Sequence, residues 1–275
     1  MKPIFKWAGG KRKLLPLIKE VIDLNSLKNN TLYEPFVGGG ALFLDLENEH
    51  VHINDLNSEL INAYMQIKNN PLKLIKLLRK FSKKHSREFY YEMRNYDRKK
   101  SFNRLSDVTK AARTIYLNRT CYNGLYRVNS KGQFNVPFGK YKHPDIVLEE
   151  KILSLSEYFN KVSAVITNCD FETAVASAKE NDLIYFDPPY DYDNNGFTSY
   201  TSNGFSKNDL IRLKIVCDEL IAKGCKVIIS NNDTKFVNEL FNDPKYKIKH
   251  VVTRWTISCD GKNRKEIKEV IIYAK

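Results

Sequence analysis

Zinc-type cysteine pairs are missing from this chain. Its five cysteines, Cys121, Cys169, Cys217, Cys225 and Cys259, include no C-x-x-C pair and no Cys/His cluster of zinc spacing. A bound metal is therefore not expected, and the thiols are expected to be free, as in a reducing cytosol. No apolar run approaches the ~20 residues of a membrane span. The opening Met1-Lys2-Pro3-Ile4 is not that of a signal peptide, so a cytoplasmic, nucleoid-associated location is expected, with no membrane partner. No internal repeat or low-complexity tract interrupts the chain. Acidic residues are in deficit: 32 Asp+Glu face 45 Lys+Arg, a formal net charge of +13 over 275 residues. That length allows one large domain, or one domain with an insert. The charge points to a polyanionic partner.

The residues that are present alternate between strand and helix signals. Residues 32–37 read as a short strand breaking into Gly38-Gly39-Gly40, followed by a helical pattern through Ala41, Leu42, Leu44 and Leu46. Val51–Asn54 reads as a second strand ending at Asp55. Together they form a β–Gly loop–α–β–acid unit, the opening of a doubly wound sheet. The alternation returns with strand 164–168, helix 171–179 and strand 183–186. A capping-box helix start at Ser206 and Asp209 and a strand over 226–230 come next. Two alternating runs, 246–254 and 266–273, predict an antiparallel hairpin at the sheet edge. Between the two groups lies a Lys-, Arg- and Tyr-rich region with helical patterns. Near its end, Tyr126-Arg127-Val128 and Gln133–Val136 flank Asn129-Ser130-Lys131-Gly132, a predicted β-hairpin with a basic tip. The expected fold is α/β: a doubly wound, mostly parallel Rossmann-like sheet with a C-terminal antiparallel hairpin and an inserted helical and β-hairpin domain. The expected division is 1–56 for the cofactor-binding part, 57–144 for target recognition and 145–275 for the rest of the catalytic domain.

Asp187-Pro188-Pro189-Tyr190, directly after Leu183–Phe186, is the most informative stretch. Each proline fixes its φ and lacks an N–H, and Pro189 keeps Pro188 out of the helical region. Backbone carbonyls there are not all consumed by helix or sheet. With the Asp187 carboxylate and the Tyr190 ring, the corner suits a planar amine: two acceptors for the amino hydrogens and one flat face. A proline turn closing a buried strand is the plainer reading. The Gly38–Gly40 loop lets backbone approach a ligand, although Phe43 fills the third glycine position of the dinucleotide fingerprint. On that stretch alone a tight turn reads equally well. Asp55, at the next strand's end, could accept hydrogen bonds from a ribose diol. Asp170-Phe171 offers another carboxylate and ring at the same edge, where ligands of open sheets collect. Glycines and a ribose-type acid without a pyrophosphate site suggest a nucleoside lacking phosphates, a description that S-adenosylmethionine fits. Lys6-Trp7-Ala8-Gly9-Gly10-Lys11 can cover such a ligand and does not match the phosphate loop G-x-x-x-x-G-K.

These motifs, in this order, resemble the Dam-type, D12-class adenine DNA methyltransferases. The likeness is carried by 6–11, by Glu34-Pro35-Phe36-Val37-Gly38-Gly39-Gly40, by Asn54-Asp55, by 122–141 and by 187–190, with Phe197-Thr198-Ser199-Tyr200 and Phe205 after them. The resemblance implies an adenine-specific DNA methyltransferase acting on double-stranded DNA with S-adenosylmethionine and without a metal. Its cofactor site would comprise Trp7, Ala8, Gly9, Lys11, Glu34, Pro35, Phe36, Gly38, Gly39, Gly40, Asp55, Asp170, Phe171 and Asp187. Asp187, Pro188 and Tyr190 would be catalytic. DNA would be contacted by Lys6, Tyr122, Asn123, Leu125, Arg127, Lys131, Asn135, Pro137 and Tyr141. Arg127 would read guanine in the bidentate manner, and Lys6 the outer guanine. Tyr122 and Asn123 would fill the gap left by an extruded base. The implied target is the adenine of GATC.

Other classes remain open on the sequence. A cytosine-amino methyltransferase would use a similar corner, usually led by serine. One acting on RNA or on a protein glutamine would more often show asparagine first. A non-catalytic DNA-binding module would explain the charge but not the cofactor loop. Restriction–modification and solitary roles are both compatible. Oligomeric state is not readable, and a monomer on DNA is compatible with the sequence.

Overall fold

The computed structural model describes residues 1–7, 11–22, 27, 29–190, 205–254 and 266–274. The described strands are β1 (Leu32–Glu34), β2 (Val51–Asn54), β3 (Val165–Thr167), β4 (Leu183–Phe186), β5 (Lys226–Asn232), β6 (Tyr246–Arg254) and β7 (Glu266–Ala274). They form a seven-stranded sheet in the order β3-β2-β1-β4-β5-β7-β6. The first five in chain order run parallel. β7 is antiparallel to both β5 and β6. This is the predicted mostly parallel, Rossmann-like sheet, with its antiparallel pair at one edge.

The described helices are α1 (Leu15–Val21), α2 (Ala41–Leu46), α3 (Ser58–Asn69), α4 (Pro71–Lys84), α5 (Arg87–Arg94), α6 (Asp107–Thr120), α7 (Glu149–Lys161), α8 (Phe171–Val175), α9 (Lys207–Ala222) and α10 (Lys235–Leu240). Strand alternation assigns the two faces of the sheet. Leu183 and Tyr185 face one core with Leu32, Ile228 and Ile271, where α1, α2, α3, α6 and α7 contribute Ile18, Phe43, Tyr64, Ile115 and Phe159. Ile184 and Phe186 face the other, with Val227, Ile229, Val270 and Ile272 under Phe171, Leu213 and Val216 of α8 and α9. Both faces of β4 are thus buried, as its continuous apolar run requires.

Local chemistry sets the element ends. β1 stops at Glu34 rather than at residue 37, because Pro35 has no N–H to continue the ladder. α8 ends at Val175, short of 179. β5 runs past Ser230 to Asn232, since Asn231 and Asn232 pair with Val270 and Glu269. The Ser206–Asp209 capping box starts α9 as predicted. Asn57 and Ser86 cap α3 and α5 by accepting from Leu60 N–H and Phe89 N–H.

The predicted hairpin over 126–136 closes without a regular ladder. Val128 and Phe134 form an isolated bridge, and Asn135 N–H donates to the Arg127 carbonyl at 3.0 Å. Asn129 makes the turn: its Oδ1 accepts from Lys131 N–H and Gln133 N–H, each at 3.0 Å. A side chain does here what ladder bonds do in a longer hairpin. No helix among the described residues is long and apolar enough to cross a membrane. Nor does any group of three or more His, Cys, Asp or Glu among them have metal-binding geometry. Cys121, Cys169, Cys217 and Cys225 are free thiols. Cys259 lies outside the described residues.

Candidate active site and DNA-reading surface

The parallel strands end together at one edge, and β1 marks the point where strand order reverses, the usual ligand crevice of an open α/β sheet. β4 delivers Asp187-Pro188-Pro189-Tyr190 there. Lys11, in a 3-10 turn over Lys11–Lys13, is 5 % exposed and places Nζ 3.2 Å from Asp187 Oδ1 and 3.7 Å from Glu269 Oε1. The same ammonium stands 3.8 Å over the Tyr190 ring. Tyr190 Oη donates to Glu269 Oε1 at 3.0 Å. Asp187 Oδ1 is buried, and its partner there is the Lys11 ammonium. Burial pushes the Asp187 carboxyl up to about 6, against the pull of the Lys11 ammonium and with the Glu269 charge adding to the rise. Beneath the corner, burial pushes Glu34 up to about 8, while the Phe43 N–H opposes the shift and the Asp187 charge adds to it.

The glycine loop lies beside this corner. Gly38 has φ 45°, and a Cβ there would come 2.8 Å from Trp7 Cδ1. The loop has its form because Trp7 lies directly on it. Trp7 in turn stacks on Tyr126, with centroids 5.1 Å apart at 24°. Gly40 opens α2 from the left-handed region. Asp55 holds the loop from below, accepting from Gly38 N–H at 3.1 Å and Asn57 N–H at 2.9 Å. Burial pushes its carboxyl up to about 6 against both N–H groups. Asn54 ties three strand ends together. Its Nδ2 donates to the carbonyls of Pro35 at 3.0 Å and Cys169 at 2.9 Å, and its Oδ1 accepts from Cys169 N–H at 2.9 Å. Asp170 follows this junction at the end of β3, the strand next to β2. It caps α8 and pairs with Arg212 at 2.8 Å. Phe171 is buried in an aromatic group with Phe36, Phe186 and Phe205, within the core under α8 and α9. Ala8 and Gly9, like 197–200, lie outside the described residues.

The predicted DNA-reading residues share a surface joined to the same crevice. Lys6 is held by Asn118, which accepts from Lys6 N–H at 2.9 Å and donates to the Lys6 carbonyl at 2.7 Å. Its ammonium stands 4.1 Å over the Tyr141 ring. A Cβ at Gly124 would come 2.3 Å from Lys6 Cδ, so the N-terminal segment lies against the turn of Tyr122, Asn123 and Leu125. Tyr122 and Asn123 are exposed, and Asn123 has φ 52°, a conformation asparagine tolerates better than most residues. Tyr122 N–H donates to the Pro137 carbonyl at 2.8 Å. Arg127 Nε donates to Asn135 Oδ1 at 2.7 Å, which orients the guanidinium and leaves its Nη edge for another partner. Lys131 is exposed at the tip.

A Rossmann-like sheet thus carries Asp55, Asp170 and Asp-Pro-Pro-Tyr at strand ends along one edge, with a basic hairpin beside it. Residues 7–257 match the model of the D12 class N6 adenine-specific DNA methyltransferases. The chain belongs to this family. It is 44 % identical over 274 residues to the type II methyltransferase M1.LlaDCHI of Lactococcus lactis subsp. cremoris, covering 99 % of this chain and 95 % of that protein. It is 38 % identical over 289 residues to the type II methyltransferase M.MjaIII of Methanocaldococcus jannaschii, covering 99 % and 98 %. With the DNA adenine methylase of Escherichia coli strain K12 it shares 32 % over 280 residues, covering 100 % and 95 %. As a D12-class methyltransferase the enzyme acts on adenine in DNA, and the family implies S-adenosylmethionine as methyl donor.

Several residues that build this enzyme's site were not singled out from sequence. Glu269 contacts Lys11 and Tyr190 from β7, and Asn118 fixes Lys6. Arg113, fully buried in α6, pairs with Glu59 at 3.1 Å and Asp97 at 2.7 Å. Asp97 accepts from Phe134 N–H of the 126–136 hairpin at 2.8 Å. Glu269 did leave a signal: in β7 it has the same parity as the core-facing Ile271. The Arg113 network left none, since its members are far apart in sequence and charged residues are ordinary in such a region.

Proposed function

We propose that this D12-class enzyme is a site-specific DNA-methyltransferase that methylates the 6-amino group of adenine within GATC in double-stranded DNA, after extruding the base from the duplex. The observation that carries it is Asp187: a buried carboxylate at the strand edge, fixed in place by the Lys11 ammonium 3.2 Å from its Oδ1. A carboxylate has lone pairs for about four hydrogen bonds, so Asp187 keeps acceptor capacity beside Lys11, and an amino hydrogen is a donor that suits it.

The described residues support a cofactor site for S-adenosylmethionine. Each Asp55 oxygen accepts one hydrogen bond from a backbone N–H, and a carboxylate has lone pairs for about four, so bonds from ribose hydroxyls can also be accepted. Gly38 and Gly39 give close backbone approach under Trp7. Lys11, Glu34, Pro35, Phe36, Gly40, Asp170, Phe171 and Asp187 would complete the walls, with Ala8 and Gly9. When bound, S-adenosylmethionine supplies an electrophilic methyl on a sulfonium whose leaving group is neutral.

The protein's own task is to present the amine. Adenine in a duplex is stacked and paired, so the base must be flipped out. Asp187 and the Pro188 carbonyl would accept the amino hydrogens, drawing the nitrogen lone pair out of ring conjugation and making it nucleophilic. Tyr190 would stack on the base with the ring face away from Lys11. The product amine can lose its proton after transfer, so Asp187 need not be a strong base. Positioning of this kind can supply ~7–11 kcal/mol. In the division proposed, 1–56 and 145–275 form the catalytic part and 57–144 reads DNA. Arg127 would read guanine with its Nη edge and Lys6 the outer guanine. Leu125, Asn135, Pro137 and Tyr141 would contact bases and backbone, while Tyr122 and Asn123 would occupy the gap left by the extruded base.

Transfer of labelled methyl to duplexes containing GATC, and to each single-base variant, tests the reading. N6-methyladenine confined to GATC is expected. Equal labelling of all duplexes would remove the site assignment, and label on cytosine would remove the chemistry.

A further inference from the structure

β7 carries a carboxylate at a core-facing position. Glu269 precedes Val270, Ile271 and Ile272, and strand parity places it on the side of Ile271, in the larger core. It is buried, and a buried charge persists only when it is paired and hydrogen-bonded. Its Oε1 accepts from Tyr190 Oη at 3.0 Å and lies 3.7 Å from Lys11 Nζ. Lys11 lies 3.2 Å from Asp187 Oδ1 and 3.8 Å over the Tyr190 ring. The N-terminal turn, the corner after β4 and the C-terminal strand thus close into one ring of contacts. One ammonium is shared by two carboxylates, and the tyrosine hydroxyl is tied to the second of them.

We propose that Glu269 is a positioning residue for the target base. Through the hydroxyl it sets the plane of the Tyr190 ring. Through its charge it shares the Lys11 ammonium, 3.7 Å from Glu269 and 3.2 Å from Asp187, so that Asp187 keeps acceptor capacity for the amino hydrogen. The inference rests on the corner being the amine site. Besides Glu269, the charged group that acts on Asp187 is Lys11 from the N-terminal turn, and the Asp187 charge in turn raises Glu34 of β1, Tyr185 of β4 and Tyr190 of the corner, all of which face it.

Glu269→Gln keeps an acceptor for the Tyr190 hydroxyl and removes the charge. Lys11 then pairs with Asp187 alone. The expected result is a kcat lower by on the order of 10²-fold, with KM for DNA unchanged. Removing a like charge eases Asp187 ionisation, so the acid limb of kcat should move to lower pH. Tyr190→Phe does the reverse: the charge stays, the acid limb stays, and the ring loses its anchor. A readout that needs no turnover is 2-aminopurine at the target position, in complexes with S-adenosylhomocysteine. Its fluorescence in the bound duplex should rise in Tyr190→Phe and Glu269→Ala, where stacking on the ring is poorer, and match wild type in Glu269→Gln.

The proposal is overturned if Glu269→Gln keeps kcat within about twofold and its acid limb in place. It is also overturned if Glu269→Gln and Glu269→Ala lose S-adenosylhomocysteine affinity in step with kcat, which would make Glu269 a fold residue. Asp187→Ala in the same assays separates the two levels. If it is inactive while Glu269→Gln is normal, only the role of Glu269 fails; if it is active, the corner itself is misassigned.

Discussion

At the residue scale, Asp55 and Tyr190 show how a motif residue acquires its partners. Asp55 was legible as an acid ending a strand beside a glycine loop, and the structure adds what its two oxygens hold: Gly38 N–H and Asn57 N–H. Asp55→Ala should therefore weaken S-adenosylhomocysteine binding by about 10- to 100-fold, the value of hydrogen bonds to a charged group, and leave DNA affinity in place. Calorimetric titration checks this; an unchanged affinity would make Asp55 a clamp on the loop and no more. Tyr190 was legible as a stacking face, from which its hydroxyl looks dispensable. Its bond to Glu269 was not legible, because the partner lies in a strand on the far side of β5 from β4. Sequence names the groups at a strand end; it does not name what reaches them from non-neighbouring strands.

At the element scale, the 126–136 hairpin is held by parts of the chain with no local relation to it. Asp97 accepts from Phe134 N–H and pairs with the buried Arg113, while Trp7 stacks on Tyr126. The turn residues Asn129–Gly132 and the alternating flanks made the hairpin legible. The exact strand and helix ends were less so, because Pro35 and the pairing of Asn231 with β7 decide them. α5 and α6 were readable only as a helical, basic region, since α6 is buried on most sides and has weak amphipathic contrast. Arg127→Ala should relax discrimination at one guanine of the site, worth ~1–3 kcal/mol for a bidentate contact, with cofactor affinity kept. Lys131→Ala should instead weaken all sequences alike and flatten the salt dependence. Methylation rates on GATC and its single-base variants at two salt concentrations distinguish them. A uniform loss in Arg127→Ala would make it a backbone anchor.

At the scale of the whole molecule, the sheet order was set by rules that sequence alternation exposes: β–α–β units with acids at their ends, then a hairpin antiparallel to the rest. The excess of 13 positive charges agrees with a DNA substrate. Both cores meet at β4, whose alternate residues pack on opposite faces, so the corner it carries is held between two packed layers. The most direct test is Asp187→Ala, with S-adenosylhomocysteine binding and methyl transfer to GATC duplex measured on one preparation. Turnover at saturating cofactor and DNA should fall by on the order of 10³-fold or more, the loss expected when a charge-aligned transition-state contact is removed, while the variant stays folded and binds the cofactor product. Substantial turnover in a folded Asp187→Ala would contradict the assignment of the Asp-Pro-Pro-Tyr corner as the place of methyl transfer.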